Sequence, residues 1–497
     1  MTKGAGVILF GTIIGMGLGF IARILIIRSI TQAQYGVYSL GIAIISAFAV
    51  FSFLGLQRGI PRQLSYHRNK ENGLKGRDII NSSFILALAS SLACSGFIFF
   101  TSDIIFVKLF HEPALADPLR VFSITLPFII VLRFFVSVFR GYERSDIKVY
   151  FNNIVRNIFF LLGVGIVFVL ELSLIHLTIS YFASFALTSV LLIIYIKKRA
   201  IIDLELDFDF SVGKEMILFS LPLLSSAGML LIMSQMDTFV LGFFLSSEKV
   251  GLYRGAYPLA KMITLVLASS TFIYLPVLSK LYAKDKKKEI ERIYRILSRW
   301  IYSLTFPIFL ILFLFPKTVL GFLFGVEYEA ASLALRVISA GFLIRVVVGM
   351  NGMSLTGMGK PKLNMYGNFI GGISNLILNF ALIPFLGILG AAAATSFSYT
   401  AQNVYQLFKL NSLFGVHPFG KTYLKTISIS VILLGLIFFF SQLVRSNIYF
   451  IIIFLLMYLL GFFAISYALG NYEKEDIDLL EKLYKKLKSY LSRSIKP

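Results

Sequence analysis

Fourteen runs of roughly twenty mainly apolar residues follow one another along the chain, at 5–29, 36–60, 79–100, 119–140, 149–170, 174–196, 215–244, 251–279, 297–316, 331–356, 361–384, 388–409, 422–443 and 448–469. A helix that crosses the hydrocarbon layer of a bilayer needs about 20 such residues. Helices and closed barrels are the structures that satisfy their own backbone polar groups there. The pattern therefore predicts an all-α integral membrane protein with fourteen transmembrane helices. Composition agrees: 57% of the 497 residues are hydrophobic and 14% are charged, against about 45–50% and about 25% in soluble domains. The first run is longer than the apolar core of a signal peptide and lacks an Ala-x-Ala cleavage site, so it reads as a span. One cysteine, Cys94, and four scattered histidines, His67, His111, His176 and His417, leave no material for a disulfide framework, a cysteine metal cluster or a histidine-rich metal site.

The net charge of +22 invites a nucleic-acid reading, but the placement of the charges removes it. With the N-terminus on the cytoplasmic side, the basic runs Arg62–Arg77, Lys197–Arg199, Lys280–Arg299 and Lys360–Lys362 and the lysine-rich tail all face the cytoplasm. Cytoplasmic segments then hold 32 Lys and Arg, and the outer loops hold four: Lys108, Lys249, Lys317 and Arg445. This is the positive-inside asymmetry of a plasma-membrane protein with both termini cytoplasmic. The longest outer loop, around Thr101–Pro118, is too short to fold as a catalytic domain. From Tyr472 to Leu491, the residues Ile477, Leu480, Leu483, Leu487 and Leu491 share one face, which predicts an amphipathic helix on the inner leaflet or a solvated one.

The chain also resembles itself. At an offset of 216, Leu119-Arg120-Val121 meets Leu335-Arg336-Val337, and Ser123, Gly141, Arg144, Tyr150 and Asn152 meet Ser339, Gly357, Lys360, Tyr366 and Asn368. At 215, Gly36, Tyr38 and Pro61 meet Gly251, Tyr253 and Pro276. Spans 1–6 thus repeat as spans 7–12. Six is even, so the halves share one topology and are related by an axis along the membrane normal. The expected organisation is two pseudo-symmetric six-helix lobes at 1–199 and 200–411, two further helices at 412–470 and the tail at 471–497. A cleft between rocking lobes is the layout of an alternating-access transporter.

Several segments carry a family likeness: Gln34-Tyr35-Gly36-Val37-Tyr38 after span 1; Leu323-Phe324-Gly325, Tyr328 and Leu335-Arg336-Val337 leading into span 10; Gly357-Met358-Gly359-Lys360-Pro361-Lys362 before span 11; and Gly390 to Thr395 opening span 12. Together they resemble the polysaccharide-export flippases of the multidrug/oligosaccharidyl-lipid/polysaccharide superfamily, with lipid II flippases as relatives. The resemblance implies a transporter, not an enzyme. Its cargo would be a polyprenyl-(di)phosphate-linked oligosaccharide flipped from the inner to the outer leaflet by a monomer whose other partners are membrane lipids.

Charges inside the membrane cost about 2.5–3.5 kcal/mol each on the lenient scale, so they mark wet cavities. Arg28, Arg120, Arg140 and Arg336 lie near span ends and read as snorkelling groups. Arg23, Arg133, Arg156, Lys261 and Arg345 lie deeper, while Arg58 and Arg254 occupy the corresponding spans 2 and 8. Asp237 is the one carboxylate well inside a span. A cleft with this balance suits phosphate or diphosphate, which Arg grips bidentately and Lys as a point charge. The candidate substrate-binding residues are Arg23, Arg58, Arg133, Arg254, Lys261 and Arg345; the family resemblance implicates Arg23, Arg58 and Arg254 among them.

Span 11 carries Asn364, Asn368, Asn375 and Asn379 on one face, a set that inter-helix hydrogen bonding explains. With Asp237 and Thr395, Asn375 and Asn379 also resemble the sodium site of lipid II flippases, which implies sodium, or a proton on Asp237, as coupling ion. Asn379 stands where those relatives tend to carry a second acid. The glycine stripe Gly11, Gly15 and Gly19 predicts close helix packing, and Pro222, Pro258, Pro276 and Pro307 predict kinks.

Two rivals remain at this level. A multidrug antiporter of the same superfamily would have twelve spans and an acid in span 1, where this chain has Arg23. A membrane polysaccharide polymerase or ligase would need a large outer loop. The topology predicts that Lys286→Cys, on a Cys94-free background, reacts with impermeant maleimide only from the cytoplasmic side; labelling from outside intact cells would overturn it.

Overall fold

The computed structural model describes residues 2–69, 73–144, 146–199, 207–442 and 448–471. The tail from Tyr472 and the outer-loop Arg445 lie outside them. The described chain is helical throughout: α1 (Thr2–Ser29), α2 (Gln32–Ser52), α3 (Leu56–Asn69), α4 (Gly73–Ile104), α5 (Ala116–Gly141), α6 (Arg156–Val169), α7 (Leu174–Arg199), α8 (Phe210–Phe244), α9 (Ser247–Lys261), α10 (Leu265–Ala283), α11 (Lys287–Leu314), α12 (Pro316–Phe324), α13 (Ser332–Val348), α14 (Asn351–Gly357), α15 (Pro361–Leu386), α16 (Ile388–Phe414), α17 (Lys421–Gln442) and α18 (Ile448–Ala468). Large apolar side chains such as Leu460, Phe463 and Tyr467 on α18 are exposed, as lipid contact requires.

Every predicted run coincides with helix, but the count of fourteen spans needs qualification. Twelve helices among the described residues are long and apolar enough to cross a bilayer, and thirteen if a bent pair is one span. The run at 388–409 is helical without passing that test. Thr395, Ser398, Gln402, Asn403 and Gln406 form a buried polar face on α16 and lower its hydropathy.

Two predicted spans are interrupted in their helical backbone and a third is bent. Span 2 stops at Leu54 and Gly55, both with positive φ (51° and 75°). Span 8 bends by 43° between Ser247–Thr271 and Tyr274–Ala283; Pro276 cannot donate the bond that would bridge this point. Span 10 breaks at Gly349, whose φ of 84° only glycine adopts without strain. Tyr294 clamps that break, donating to Val348 O (3.0 Å) and Asn351 Oδ1 (2.5 Å).

The repeat has a physical counterpart where α2 crosses α9. A Cβ on Gly36 would lie 1.7 Å from Ser247 O and 3.1 Å from Gly251 N; a Cβ on Gly251 would lie 2.1 Å from Gln32 O and 3.1 Å from Gly36 N. Residues paired by the 215-residue offset therefore touch each other reciprocally, backbone against backbone, as a local two-fold demands. Thr31 and Gln34 lock the start of α2 in a reciprocal cap. At the opposite end, α3 sits on α8: Cβ atoms on Gly55 and Gly59 would lie 2.2 and 2.1 Å from Ser220 O and Oγ. Lys75 pairs with Glu215 there (3.3 Å), and Asp209 N donates to Ser82 Oγ (3.1 Å). The two halves of the repeat thus meet at both ends.

Two of the three stripe glycines of α1 pack closely: Cβ atoms on Gly11 and Gly15 would lie 2.3 Å from Val149 Cγ1 and 2.5 Å from Asn153 O, whereas one on Gly19 would meet only Asn157 Nδ2 at 3.8 Å. Gly36→Ala is expected to lower stability by about 1–3 kcal/mol through overpacking against backbone. Gly17→Ala, which meets nothing within 4 Å, is expected to leave the thermal midpoint of the detergent-solubilised protein unchanged. Equal midpoints for both variants would contradict the crossing.

Candidate functional site: a cationic interior and a sealed carboxylate

Arg254 on α9 follows the glycine crossing by three residues. It donates to Gln235 Oε1 on α8, and its guanidinium carbon lies 6.0 Å from the Tyr257 ring centroid. It is within electrostatic range of Arg23 on α1. Lys261, at the end of α9, is in range of Arg254, Arg23 and Arg345 and keeps an accessible side chain. Arg345, four residues before the Gly349 break, lies 4.8 Å from the Tyr399 ring. Four of the six predicted cations, from α1, α9 and α13, therefore form one group.

Arg133 belongs elsewhere, with Arg156 on α6. Arg58 stands on α3, beyond the break in span 2, and is exposed. The same face of α3 lines a cavity of about 600 Å³ bounded by Arg62, Tyr66, His67, Lys75, Glu215 and Phe219.

The span-end arginines act structurally. Arg28 donates to Phe322 O (2.5 Å) and Leu323 O (2.9 Å) at the C-terminal end of α12. Arg336 donates to Phe313 O (2.9 Å) at the end of α11. Both answer carbonyls that a helix end leaves unpaired. Arg120 pairs with Asp103 and Asp117, each at 2.8 Å.

Asp237, on α8, is 2% exposed. Its Oδ1 accepts from Asn379 Nδ2 (2.8 Å) and Asn375 Nδ2 (3.2 Å) on α15. Its Oδ2 accepts from Thr395 Oγ1 (2.6 Å) on α16 and Tyr253 Oη (2.5 Å) on α9. The sequence-predicted quartet is thus brought together, and Tyr253 joins it. Reading by sequence missed Tyr253, although its pairing with Tyr38 in the repeat marks it as a fixed point of the fold. Among the described residues the Asp237 carboxyl is held by neutral donors and makes no salt bridge, while Arg254 lies in electrostatic range next to Tyr253.

The other two asparagines do what inter-helix packing predicts. Asn364 accepts from Gln406 Nε2 (2.9 Å) and Asn368 from Gln402 Nε2 (2.7 Å), zipping α15 to α16. Asn375 Oδ1 and Asn379 Oδ1, by contrast, are buried without a partner among the described residues. Buried orphan acceptors are costly. Two amide oxygens, a carboxylate and two hydroxyls make an all-oxygen set of the kind hard cations accept; among the described residues no group of three or more His, Cys, Asp or Glu offers a transition-metal alternative.

This is the architecture of a helical membrane transporter with a cationic interior. The sequence matches the profile of the polysaccharide biosynthesis protein family over residues 1–282, and the chain belongs to that family; a second profile, MatE, matches 222–381. It is 25% identical over 444 residues to the "Probable low-salt glycan biosynthesis flippase Agl15" of Haloferax volcanii, covering 88% of this chain and 89% of that protein. It is 29% identical over 285 residues to the membrane protein MJ1068 of Methanocaldococcus jannaschii, covering 53% of this chain and 55% of that one. Among solved structures, the lipid II flippase MurJ in an inward closed conformation superposes with a TM-score of 0.76 at 17% identity, over 92% of this chain and 97% of that one. That likeness shows the fold.

Replacing Asp237 by Leu strands four donors in the interior. It is expected to lower the thermal midpoint by the equivalent of about 3–5 kcal/mol, and Tyr253→Phe by about 1–3 kcal/mol. Unchanged midpoints for both would mean that the cluster is not formed.

Proposed function

We propose that this protein is a flippase that moves a polyprenyl-(di)phosphate-linked oligosaccharide from the inner to the outer leaflet of the cytoplasmic membrane. The observation that carries the reading is the cation group Arg23, Arg254, Lys261 and Arg345 in a member of the polysaccharide biosynthesis family, beside a single carboxylate that is itself sealed by hydrogen bonds. An interior with this balance attracts an anion, and phosphate oxygens accept the bidentate geometry of Arg. The charge asymmetry of the loops sets both termini in the cytoplasm. Arg58 and the basic cavity beside α3 then lie on the side from which such a lipid arrives.

The work is binding and reorientation, with no bond made or broken. The reciprocal glycine crossing closes one end and the α3–α8 seat the other. Opening one contact while the other holds gives alternating access, and the interruptions at Gly55 and Gly349 are places where backbone can bend. The chain acts as a monomer in this reading.

Sodium is the coupling ion in this proposal. Asp237, Asn375, Asn379 and Thr395 would hold it once the two amides turn their free oxygens inward, supplying a cation that competes with Tyr253 for the carboxylate. Because Tyr253 adjoins Arg254 on α9, occupancy there bears on the helix that holds the cargo, and the gradient biases the equilibrium only by the ion's differential affinity for the two states. A proton on Asp237 is the competing possibility.

Flipping of lipid-linked oligosaccharides into proteoliposomes tests the reading. Arg254→Gln is expected to reduce the rate at least about tenfold, the scale of a lost charge-assisted hydrogen bond, with the exposed Arg120→Gln as control. Transport of cationic drugs instead of these lipids would favour the antiporter reading. Sodium is expected to raise the thermal midpoint of the parent protein and not of Asp237→Asn, and to stimulate flipping only in the parent. A parent indifferent to sodium in both assays would leave protonation as the account of Asp237.

A further inference from the structure

The repeat places Tyr38 on α2 where the second half has Tyr253, and Ala22 where it has Asp237. The Tyr253 hydroxyl donates a hydrogen bond to Asp237 Oδ2. The Tyr38 hydroxyl, in a side chain 3% exposed, has no hydrogen-bond partner among the described residues. The first half has no acid at this place and has arginines nearby. Arg133 (α5) and Arg156 (α6) lie within electrostatic range of each other and of Tyr181 (α7), and Arg156 also of Tyr38. No carboxylate is among the electrostatic neighbours of either arginine in the described residues.

Arg156 is held in a defined pose. It donates to Asn157 Oδ1, and Asn157 Nδ2 in turn donates to Gly15 O (2.7 Å) and Asn153 O (2.8 Å). Its guanidinium carbon lies 5.1 Å from the Phe185 ring. Its Nε is buried and unpartnered among the described residues. A π-helical stretch, Lys148–Val155, immediately precedes it; such widened turns re-aim the residues that follow and recur at functional sites. The walls are aromatic: Tyr181 packs on Phe122, Phe160 and Phe185 with ring centroids 5.4, 5.8 and 5.1 Å apart. Two like charges in a low-dielectric interior, with an orphan N–H and an orphan O–H beside them, lack one thing: an anion.

We propose that Arg133, Arg156, Tyr38 and Tyr181 form a second anion site in the first half of the repeat, adjoining the Arg254 group where Tyr38 also neighbours Arg23 and selective for a compact monovalent anion. The chemistry fits the carboxylate of an acidic sugar in the cargo, whose ring would lie along the aromatic wall, and it fits a free halide. The cargo assignment rests on the flippase reading above; the site itself does not.

Two measurements on the full-length protein decide it. Crystals grown with bromide in place of chloride are expected to show an anomalous peak within hydrogen-bond reach of Tyr38 Oη and Arg156 Nε. The peak should disappear in Arg156→Gln and weaken in Tyr38→Phe, which removes only the hydroxyl and serves if the first variant does not fold. In proteoliposomes, two lipid-linked oligosaccharides differing by one hexuronic acid in place of a hexose report the source. An acidic sugar as ligand predicts that Arg156→Gln lowers the acidic-to-neutral flipping ratio about tenfold or more. A halide as ligand predicts an unchanged ratio and equal sensitivity of both substrates to replacing chloride by gluconate. Absence of the bromide peak together with a wild-type ratio in both variants overturns the proposal. A parent that flips neither lipid overturns the cargo reading and leaves the bromide result to decide the site.

Discussion

A charge among hydrocarbon tails has no water to solvate it, and everything informative in this molecule follows from how that cost is met. At the ends of helices it is met by backbone: Arg28 and Arg336 take up the last carbonyls of α12 and α11, satisfying two needs with one contact. At Asp237 it is met by four neutral donors from three helices. In the interior groups the protein meets it only in part. Arg254 has the Gln235 amide and the Tyr257 ring, and Arg156 has the Asn157 amide and the Phe185 ring, with Arg133 as a like-charged neighbour. Arg133 and Arg156, with no carboxylate among their electrostatic neighbours in the described residues, are the charges that the proposed anion would compensate.

The second constraint is steric. Helices α2 and α9 approach until backbone touches backbone, and the contact is reciprocal because equivalent residues of two repeats make it. A crossing without side chains has little surface to interdigitate, so it closes tightly and can part without unthreading packed groups. The α3–α8 seat is built on the same plan, with Gly55 and Gly59 against Ser220. Small residues permit close approach at both seats, and Gly11 and Gly15 of α1 permit the same approach to Val149 and Asn153.

The halves share a topology but have diverged in charge. Equivalent tyrosines stand at equivalent places; one meets a carboxylate and the other faces arginines. In the proposed function the second half would hold a cation at Asp237, and in the further proposal the first half would hold an anion at Arg133 and Arg156. The Tyr253–Arg254 adjacency then links the second-half cluster to the central cation group through a single helix.

Much of this was legible in the residues alone. The apolar runs, the loop charges and the repeat depend on local composition and on the thickness of a bilayer, so they survive without coordinates. The polar quartet Asp237, Asn375, Asn379 and Thr395 was also readable, because helical periodicity puts i and i+4 on one face and family likeness supplied the partners. The breaks at Leu54 and Gly349 were not, since an apolar run looks continuous whether or not one residue adopts a left-handed conformation. Nor was the grouping of the arginines: depth along a span is a one-dimensional quantity, while Arg23 joining Arg254 and Arg133 joining Arg156 depend on how helices rotate and cross. Sequence by itself determined that the chain is built of membrane-spanning helices and that cations outnumber acids inside them. Tertiary structure alone decided which of those cations share a space, because electrostatic interaction falls with distance through the fold and not with distance along the chain.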